Sequence, residues 1–148
     1  MTLRIKWVAC LLIALGTLQV GCDGNSSPTA VVVEELPPAE TIAEEFSGTI
    51  ALGTTSCHFF SQVALGDVRL SVTGLMPLET LTIGMGIGTA DEAQETGCAL
   101  FARDNSVRLG DVLTSNSNDV GDYCVCVFDV GNIFAEAIVS YTVDVEHT

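Results

Sequence analysis

Residues 66–75 read G-D-V-R-L-S-V-T-G-L, and they decide the fold class because polar and apolar side chains alternate from Asp67 to Thr73. One face of the extended chain carries Val68, Leu70 and Val72, and the other face carries polar side chains. A period of two is typical of a β-strand that has one buried and one solvated face. The sequence therefore predicts a half-buried strand here.

The same alternation recurs in T-L-T-I-G-M-G-I-G (80–88) and in V-S-Y-T-V-D-V-E (139–146). Further strands are predicted at 46–51, 57–63, 99–102, 107–113 and 122–130. Glycine- and proline-containing turns separate them, and nothing after residue 46 shows the 3.6-residue period of an amphipathic helix. Six or more short strands over about 100 residues predict an all-β fold, an antiparallel β-sandwich of jelly-roll or immunoglobulin-like type in a single domain.

The glycines at 84, 86 and 88 fall on one face of a predicted strand. A phosphate-binding loop would need a turn and a following Lys-Ser or Lys-Thr pair, and neither is present. Because a strand face without side chains lets another chain segment approach closely, we expect these glycines to serve packing.

The N-terminus is typical of an export signal. Arg4 and Lys6 precede twelve uncharged, mostly apolar residues (7–18), and L-Q-V-G-C follows at 18–22. This last stretch resembles the lipobox of bacterial lipoproteins, which implies cleavage after residue 21 and attachment of diacylglycerol to Cys22. An ordinary cleaved signal and an uncleaved anchor are the alternatives. Acyl chains at about 0.8 kcal/mol per buried methylene would hold the protein on a membrane.

Residues 22–45 are predicted to form an acidic, proline-containing tether between the signal peptide (1–21) and a β-sandwich domain (46–148). Pro28, Pro37 and Pro38 interrupt any helix, and five glutamates between residues 34 and 45 repel one another.

The chain carries 19 acidic and 5 basic residues, a net charge of −14. Loss of Arg4 and Lys6 with the signal leaves three arginines against 19 acids, a net charge of −16. Nucleic-acid binding proteins need clustered Lys and Arg against phosphate, so this composition argues against that class of partner.

Cysteine numbers agree with export. Removal of Cys10 and acylation of Cys22 leave four cysteines, at positions 57, 98, 124 and 126. An even number in an exported domain predicts two disulfides. Cys124 and Cys126 lie on the same face of a strand about 6.5–7 Å apart, so each needs a partner elsewhere. A zinc site is disfavoured because the cysteines lack the usual C-x-x-C spacing.

Catalytic patterns are missing, so we predict that the protein is not an enzyme. His58 reads as a surface or hydrogen-bonded structural residue, and His147 as part of a frayed chain end. No G-x-S-x-G or H-E-x-x-H motif occurs. A hydrolase using Asp119 and Asp122 is the remaining enzymatic alternative.

No cofactor is predicted, and calcium is the one metal that the composition would suit. The candidate ligands are Asp104, Asp119 and Asp122, with the nearby Asn105, Asn116 and Asn118. Scattered solubilising acids are the simpler interpretation of these residues.

The strand series is similar to the bacterial pre-peptidase C-terminal domain group, over about residues 46 to 147. The most specific part is G-D-Y-C-V-C-V-F-D-V-G-N at 121–132. The resemblance implies a β-sandwich that serves as an accessory or adhesion module. It also implies the disulfide Cys98–Cys124, and with it Cys57–Cys126.

Together these features predict a bacterial envelope lipoprotein that displays a non-enzymatic, disulfide-stabilised β-sandwich with a structural, binding or adhesion role. The membrane is reached through the lipid on Cys22, on the periplasmic face or the cell surface. The alternative is a ligand-binding module that recognises calcium, a glycan or a protein through the loops of residues 89–121, because loops on a rigid sandwich commonly carry binding sites.

Overall fold

The computed structural model describes residues 39–148, and all the regular elements in this part of the chain are β-strands. They are β1 (Ile42–Ala51), β2 (Thr55–Gln62), β3 (Gly66–Met76), β4 (Ile83–Ala90), β5 (Cys98–Val107), β6 (Val112–Ser117), β7 (Gly121–Phe128) and β8 (Ile138–His147). Across this range no helix has the length and apolar character that a membrane crossing needs. The predicted signal peptide, the Cys22 lipidation site and the tether up to residue 38 lie outside the described residues.

Two four-stranded antiparallel sheets pack face to face. The first has the strand order β1-β8-β3-β6 and the second the order β2-β7-β4-β5. The first strand thus pairs with the last, the second with the seventh, the third with the sixth and the fourth with the fifth. This nested pairing is that of a jelly roll rather than of an immunoglobulin domain. The prediction of an all-β, antiparallel sandwich in a single domain is confirmed.

The hydrophobic core lies between the sheets, on the strand faces that the alternation predicts. The residues that bury their side chains almost completely include Val68, Leu70 and Val72 in β3, Ile83, Met85 and Ile87 in β4, and Val139, Tyr141, Val143 and Val145 in β8. Full burial of one such aliphatic side chain contributes about 1.5–3 kcal/mol. Burial of these side chains between the two sheets therefore provides the main stabilisation of the fold.

The outer face of β4 is built from glycines because its neighbours lie against it. A methyl group added to Gly84 would collide with the ring of Phe128, and one added to Gly88 would collide with the backbone of Ala99. At Gly86 it would lie 2.7 Å from the side chain of Leu100. The predicted packing role of these glycines is confirmed.

β1 begins at Ile42, inside the predicted tether, so the folded domain starts before Phe46. The strand pairs along its whole length with β8, from Ile42 opposite His147 to Ala51 opposite Ile138. Glutamates do not prevent this pairing, because β1 is an edge strand and edge strands commonly carry charge.

The end of the chain is buried, so the prediction of a frayed His147 was wrong. The His147 side chain is 1% exposed, and its ring centroid lies 4.6 Å from that of Phe60. Its Nε2 lies 3.1 Å from Oε1 of Glu44 on β1. The backbone N–H of Val63 also donates a hydrogen bond to the carbonyl of Thr148. Residues 147 and 148 are therefore held both by side-chain contacts and by a backbone hydrogen bond.

The predicted strand at 107–113 is interrupted by a turn at 108–111, which joins the end of β5 at Val107 to the start of β6 at Val112. Arg108 and Asp111 close it: the Arg108 N–H donates to Oδ2 of Asp111, and the Asp111 N–H donates to the Arg108 carbonyl. Gly110 has a φ of 88°, in the left-handed region that favours glycine. The strand predicted at 99–102 exists and is longer, since β5 runs from Cys98 to Val107.

Both disulfides implied by the resemblance are present, as Cys57–Cys126 and Cys98–Cys124. They lie on the outer face of the second sheet, in a small cluster with Leu100 that is separate from the main core. Cys57 and Cys126 are direct partners in the pairing of β2 with β7. The cystines therefore join three strands of this sheet covalently: β2, β7 and β5.

Candidate functional site

The predicted loop region, residues 89–121, is mostly strand, because β5 and β6 occupy 98–107 and 112–117. These residues contribute to a groove of about 270 Å³ at the side of the sandwich where the edge strands β5 and β6 lie. Six residues line it: Thr89, Phe101, Asn116, Asn118, Asp119 and Tyr123. We refer to it as the Phe101 groove.

Phe101 gives the groove an exposed aromatic surface. Its side chain is 51% exposed, although it projects from a regular strand, and its ring meets that of Tyr123 edge-on at a centroid distance of 6.2 Å. Tyr123 is almost completely buried, and its hydroxyl donates a 2.9 Å hydrogen bond to the carbonyl of Asp119. The buried tyrosine thus holds both the phenyl ring and the β6–β7 turn in position.

The polar residues of the groove are two amides, one carboxylate and one hydroxyl, contributed by Asn116, Asn118, Asp119 and Thr89. Asn116 also donates through its side chain to Oδ1 of Asp67 at 3.0 Å. An apolar ring beside several donors and acceptors can bind a ligand that has both an apolar face and hydroxyl or amide groups.

The calcium candidates do not gather into one group. Asp104 accepts a hydrogen bond from the Ser106 N–H, and Asp122 accepts one from the Ser61 hydroxyl, whereas Asp119 lines the Phe101 groove. Within residues 39–148, three or more metal-binding side chains come together only at cysteines 57, 98 and 126, and these sulfurs are engaged in disulfides.

His58 belongs to a hydrogen-bonded network at the edge of the core, as the sequence predicts for a structural histidine. Its Nε2 lies 2.8 Å from the Tyr141 hydroxyl, which donates to Oγ of Ser56 at 2.7 Å. Burial lowers the pKa of His58. Burial also raises the pKa of Tyr141, partly offset by the bond to Ser56. Because the hydroxyl of Tyr141 lies between Ser56 and His58, this network does not have the direct contact between a serine hydroxyl and an imidazole that activates a serine nucleophile.

A larger cleft, of about 420 Å³, opens on the outer face of the second sheet. Its lining consists of Gly53, Thr54 and Thr55 from the β1–β2 turn and the start of β2, Cys57, and Glu95 and Thr96 from the β4–β5 loop (residues 91–97). We refer to it as the Cys57 cleft. The loop reaches it because it folds back over the sheet, where Gly97 packs against the ring of Phe59.

A third depression, of about 340 Å³, lies at the end of the sandwich where β3 leads into β4. Leu78 and Phe134 line it together with Leu81, Asn132 and two threonines. Phe134 is 74% exposed and Leu78 is 41% exposed, so this depression presents apolar surface to solvent. We refer to it as the Phe134 depression.

Sequence reasoning singled out the loops but not the aromatic residues that define these surfaces. Phe101 and Phe134 resemble core residues in the sequence, and only the pairing of the strands shows that they are exposed. The exposure of Phe101 has one indication in the sequence. It lies in A-L-F-A (99–102), where both strand faces are apolar, whereas an edge strand packs only one of its faces against the core.

Comparison with known proteins shows likeness at the level of the fold. No protein-family model matches the chain, so the similarity to the pre-peptidase C-terminal group remains a prediction, and no curated protein matches its sequence. A crystal structure of Aeromonas hydrophila PliG, a periplasmic lysozyme inhibitor of g-type lysozyme, is similar with a TM-score of 0.51 at 14% identity, covering 70% of this chain and 83% of that one.

The Yersinia pseudotuberculosis-derived mitogen (YPM) is similar with a TM-score of 0.52 at 9% identity, covering 74% of this chain and 88% of the mitogen. At such identities these likenesses establish a shared β-sandwich and nothing about ligands.

Proposed function

We propose that the protein is an exported, non-enzymatic binding module of the bacterial envelope, anchored to a membrane through lipid on Cys22. Two disulfides support export, because cystines form and persist in oxidising compartments. The sequence before Cys22 supports the anchor. The sandwich would then be displayed at the membrane surface by the segment that follows the lipid.

The Phe101 groove is the proposed ligand site, and its half-exposed ring is the observation that carries the proposal. An aromatic side chain at the surface of a rigid strand loses little conformational entropy on binding, and it offers a flat apolar face. The neighbouring amides and the carboxylate offer hydrogen-bond donors and acceptors. A sugar ring has an apolar face and a rim of hydroxyls, so we propose a glycan as the ligand class.

Glycan binding is tested on an array of envelope and surface glycans, followed by calorimetry with the best binder. We expect Phe101→Ala to weaken binding at least tenfold, about 1.4 kcal/mol. Phe134→Ala, which removes an exposed phenylalanine far along the chain from the groove, is the matched control and leaves the affinity unchanged. Equal affinities of Phe101→Ala and the unmodified protein would refute this site. Calorimetry with Ca²⁺ alone tests the calcium alternative, which predicts heat that Asp119→Asn abolishes.

Lipid attachment is tested by growing cells with radiolabelled palmitate. We expect the label in the protein with Cys22 and its loss in Cys22→Ser, which should also leave the membrane fraction. Equal labelling of the two forms would refute the anchor.

A protein partner is the second candidate, and the exposed apolar surface of the Phe134 depression favours it. One of the similar structures is that of an inhibitor of another protein, g-type lysozyme. The strong negative charge would select a cationic partner. Cross-linking on intact cells followed by mass spectrometry would identify it, and Phe134→Ala rather than Phe101→Ala should then reduce its recovery.

A further inference from the structure

The two disulfides are immediate neighbours. The sulfur atoms of Cys57, Cys98 and Cys126 all lie within 4.8 Å of one another, so Cys98 of one disulfide approaches both sulfurs of the other. Cys124 and Cys126 stand two residues apart on the same face of β7. Cys98 could therefore exchange its disulfide partner, from Cys124 to Cys126, by movement of side chains alone.

Of the four disulfide-bonded cysteines, Cys57 is the one most accessible to solvent. Cys98, Cys124 and Cys126 are no more than 5% exposed, whereas Cys57 is partly exposed and lines the Cys57 cleft. The volume of the cleft, about 420 Å³, is within the range of small-molecule sites. A thiol that enters the cleft thus meets Cys57 first.

We propose that the cystine pair is a thiol–disulfide exchange site, in which Cys57 receives an external thiol and the released Cys126 passes the exchange to the Cys98–Cys124 disulfide. This activity goes beyond ligand binding at the Phe101 groove and does not depend on it.

The exchange balances without an added oxidant. An external thiolate attacks the sulfur of Cys57, a mixed disulfide forms, and the Cys57–Cys126 bond breaks with its electron pair on Cys126. The Cys126 thiolate then attacks Cys98, the Cys98–Cys126 bond forms, and Cys124 leaves as a thiolate. Cys124 takes up the proton that the external thiol lost. The number of disulfide bonds stays at two. The mixed disulfide on Cys57 replaces Cys57–Cys126, and Cys98–Cys126 replaces Cys98–Cys124, so no net oxidation or reduction occurs.

The charge around the cleft selects the incoming thiol. Glu95 is exposed and lines the cleft, while the other lining residues are uncharged. A carboxylate beside Cys57 repels an anionic thiol and attracts a cationic one. The site should therefore prefer a small thiol that carries an amine, such as cysteamine, over one that carries a sulfonate.

The exchange is tested with the full chain carrying Cys10→Ser and Cys22→Ser, so that four cysteines remain. The folded protein is incubated with cysteamine, quenched with acid, alkylated with N-ethylmaleimide and mapped by mass spectrometry without reduction. We expect cysteamine on Cys57, a Cys98–Cys126 disulfide and maleimide on Cys124. Maleimide on Cys126 with Cys98–Cys124 intact would overturn the transfer step, and the absence of any modification would overturn the site.

Two pairs of comparisons complete the test. In Cys98→Ala/Cys124→Ala the acceptor disulfide is gone, so cysteamine should still reach Cys57 and maleimide should appear on Cys126. Relative to 2-mercaptoethanesulfonate at equal thiolate concentration, cysteamine should react at least threefold faster, and Glu95→Gln should reduce this ratio. Glu92→Gln, in the same loop but not lining the cleft, is the matched control and should keep the ratio. Equal rates for both thiols would overturn the cleft as the route of entry.

Discussion

Removal of the Cys98–Cys124 disulfide by Cys98→Ala/Cys124→Ala should destabilise the domain by an amount that the chain length predicts. The two cysteines are 26 residues apart. A cross-link that closes a loop of this size lowers the entropy of the unfolded chain by an amount worth about 3.5 kcal/mol at 25 °C. Domains of this kind have a total stability of about 5–15 kcal/mol, so the variant should still fold.

Removal of the other disulfide, by Cys57→Ala/Cys126→Ala, should cost slightly more. Its cysteines are 69 residues apart, but the inner disulfide, which spans 26 residues, shortens the loop to about 43. The expected loss is about 4 kcal/mol. The two variants should therefore have similar stabilities, although their separations along the chain differ almost threefold.

Guanidinium denaturation followed by circular dichroism measures both losses. Fluorescence is unsuitable because the one tryptophan, Trp7, lies outside the described domain. Reduction of the unmodified protein should lower its midpoint further than either variant does. A loss below about 1 kcal/mol in Cys98→Ala/Cys124→Ala, or a midpoint that reduction leaves unchanged, would show that the cystines do not brace the fold.

Three further predictions concern single residues. Burial lowers the pKa of His58 in the folded state, so the unfolded chain takes up a proton on this imidazole first as the pH drops. The free energy of unfolding should therefore decrease below about pH 6.5. Urea midpoints between about pH 7.5 and 5 should show this decrease, and His58→Gln should make it smaller. Asp129→Ala should cost about 1–2 kcal/mol in urea unfolding, because its carboxylate accepts hydrogen bonds from four backbone N–H groups, that of Gly53 among them. Gly84→Val should destabilise by at least about 2 kcal/mol, measured by thermal unfolding, because the ring of Phe128 occupies the space of the new side chain; an unchanged midpoint would contradict the packing.

Strict alternation in the sequence predicted the strands whose one face is buried. The inner face of β3 was predictable from Val68, Leu70 and Val72, because a strand with one solvent-exposed face has apolar residues at every second position. The same reasoning located β4 and β8. The edge strand β1 began earlier than predicted, since the glutamates near its start are solvated and carry no apolar pattern.

Features that depend on contacts between residues distant in the sequence could not be predicted from local patterns. His147 looked like part of a free end, and its burial depends on contacts with Phe60 and Glu44, which are distant in the sequence. The Phe101 groove depends in the same way on the placement of β5 and β6 at the sheet edges. Four cysteines can pair in three ways. The spacing of Cys124 and Cys126 excludes one of them, and the similarity to a known domain group implied which of the other two is present.

The most direct measurement is a mass spectrometric map, without reduction, of the protein isolated from bacterial membranes after expression with its own N-terminus. The account predicts a chain that starts at an acylated Cys22 and contains the Cys57–Cys126 and Cys98–Cys124 cross-links. A chain that keeps residues 1–21 and carries four reduced thiols in the cytoplasmic fraction would contradict it.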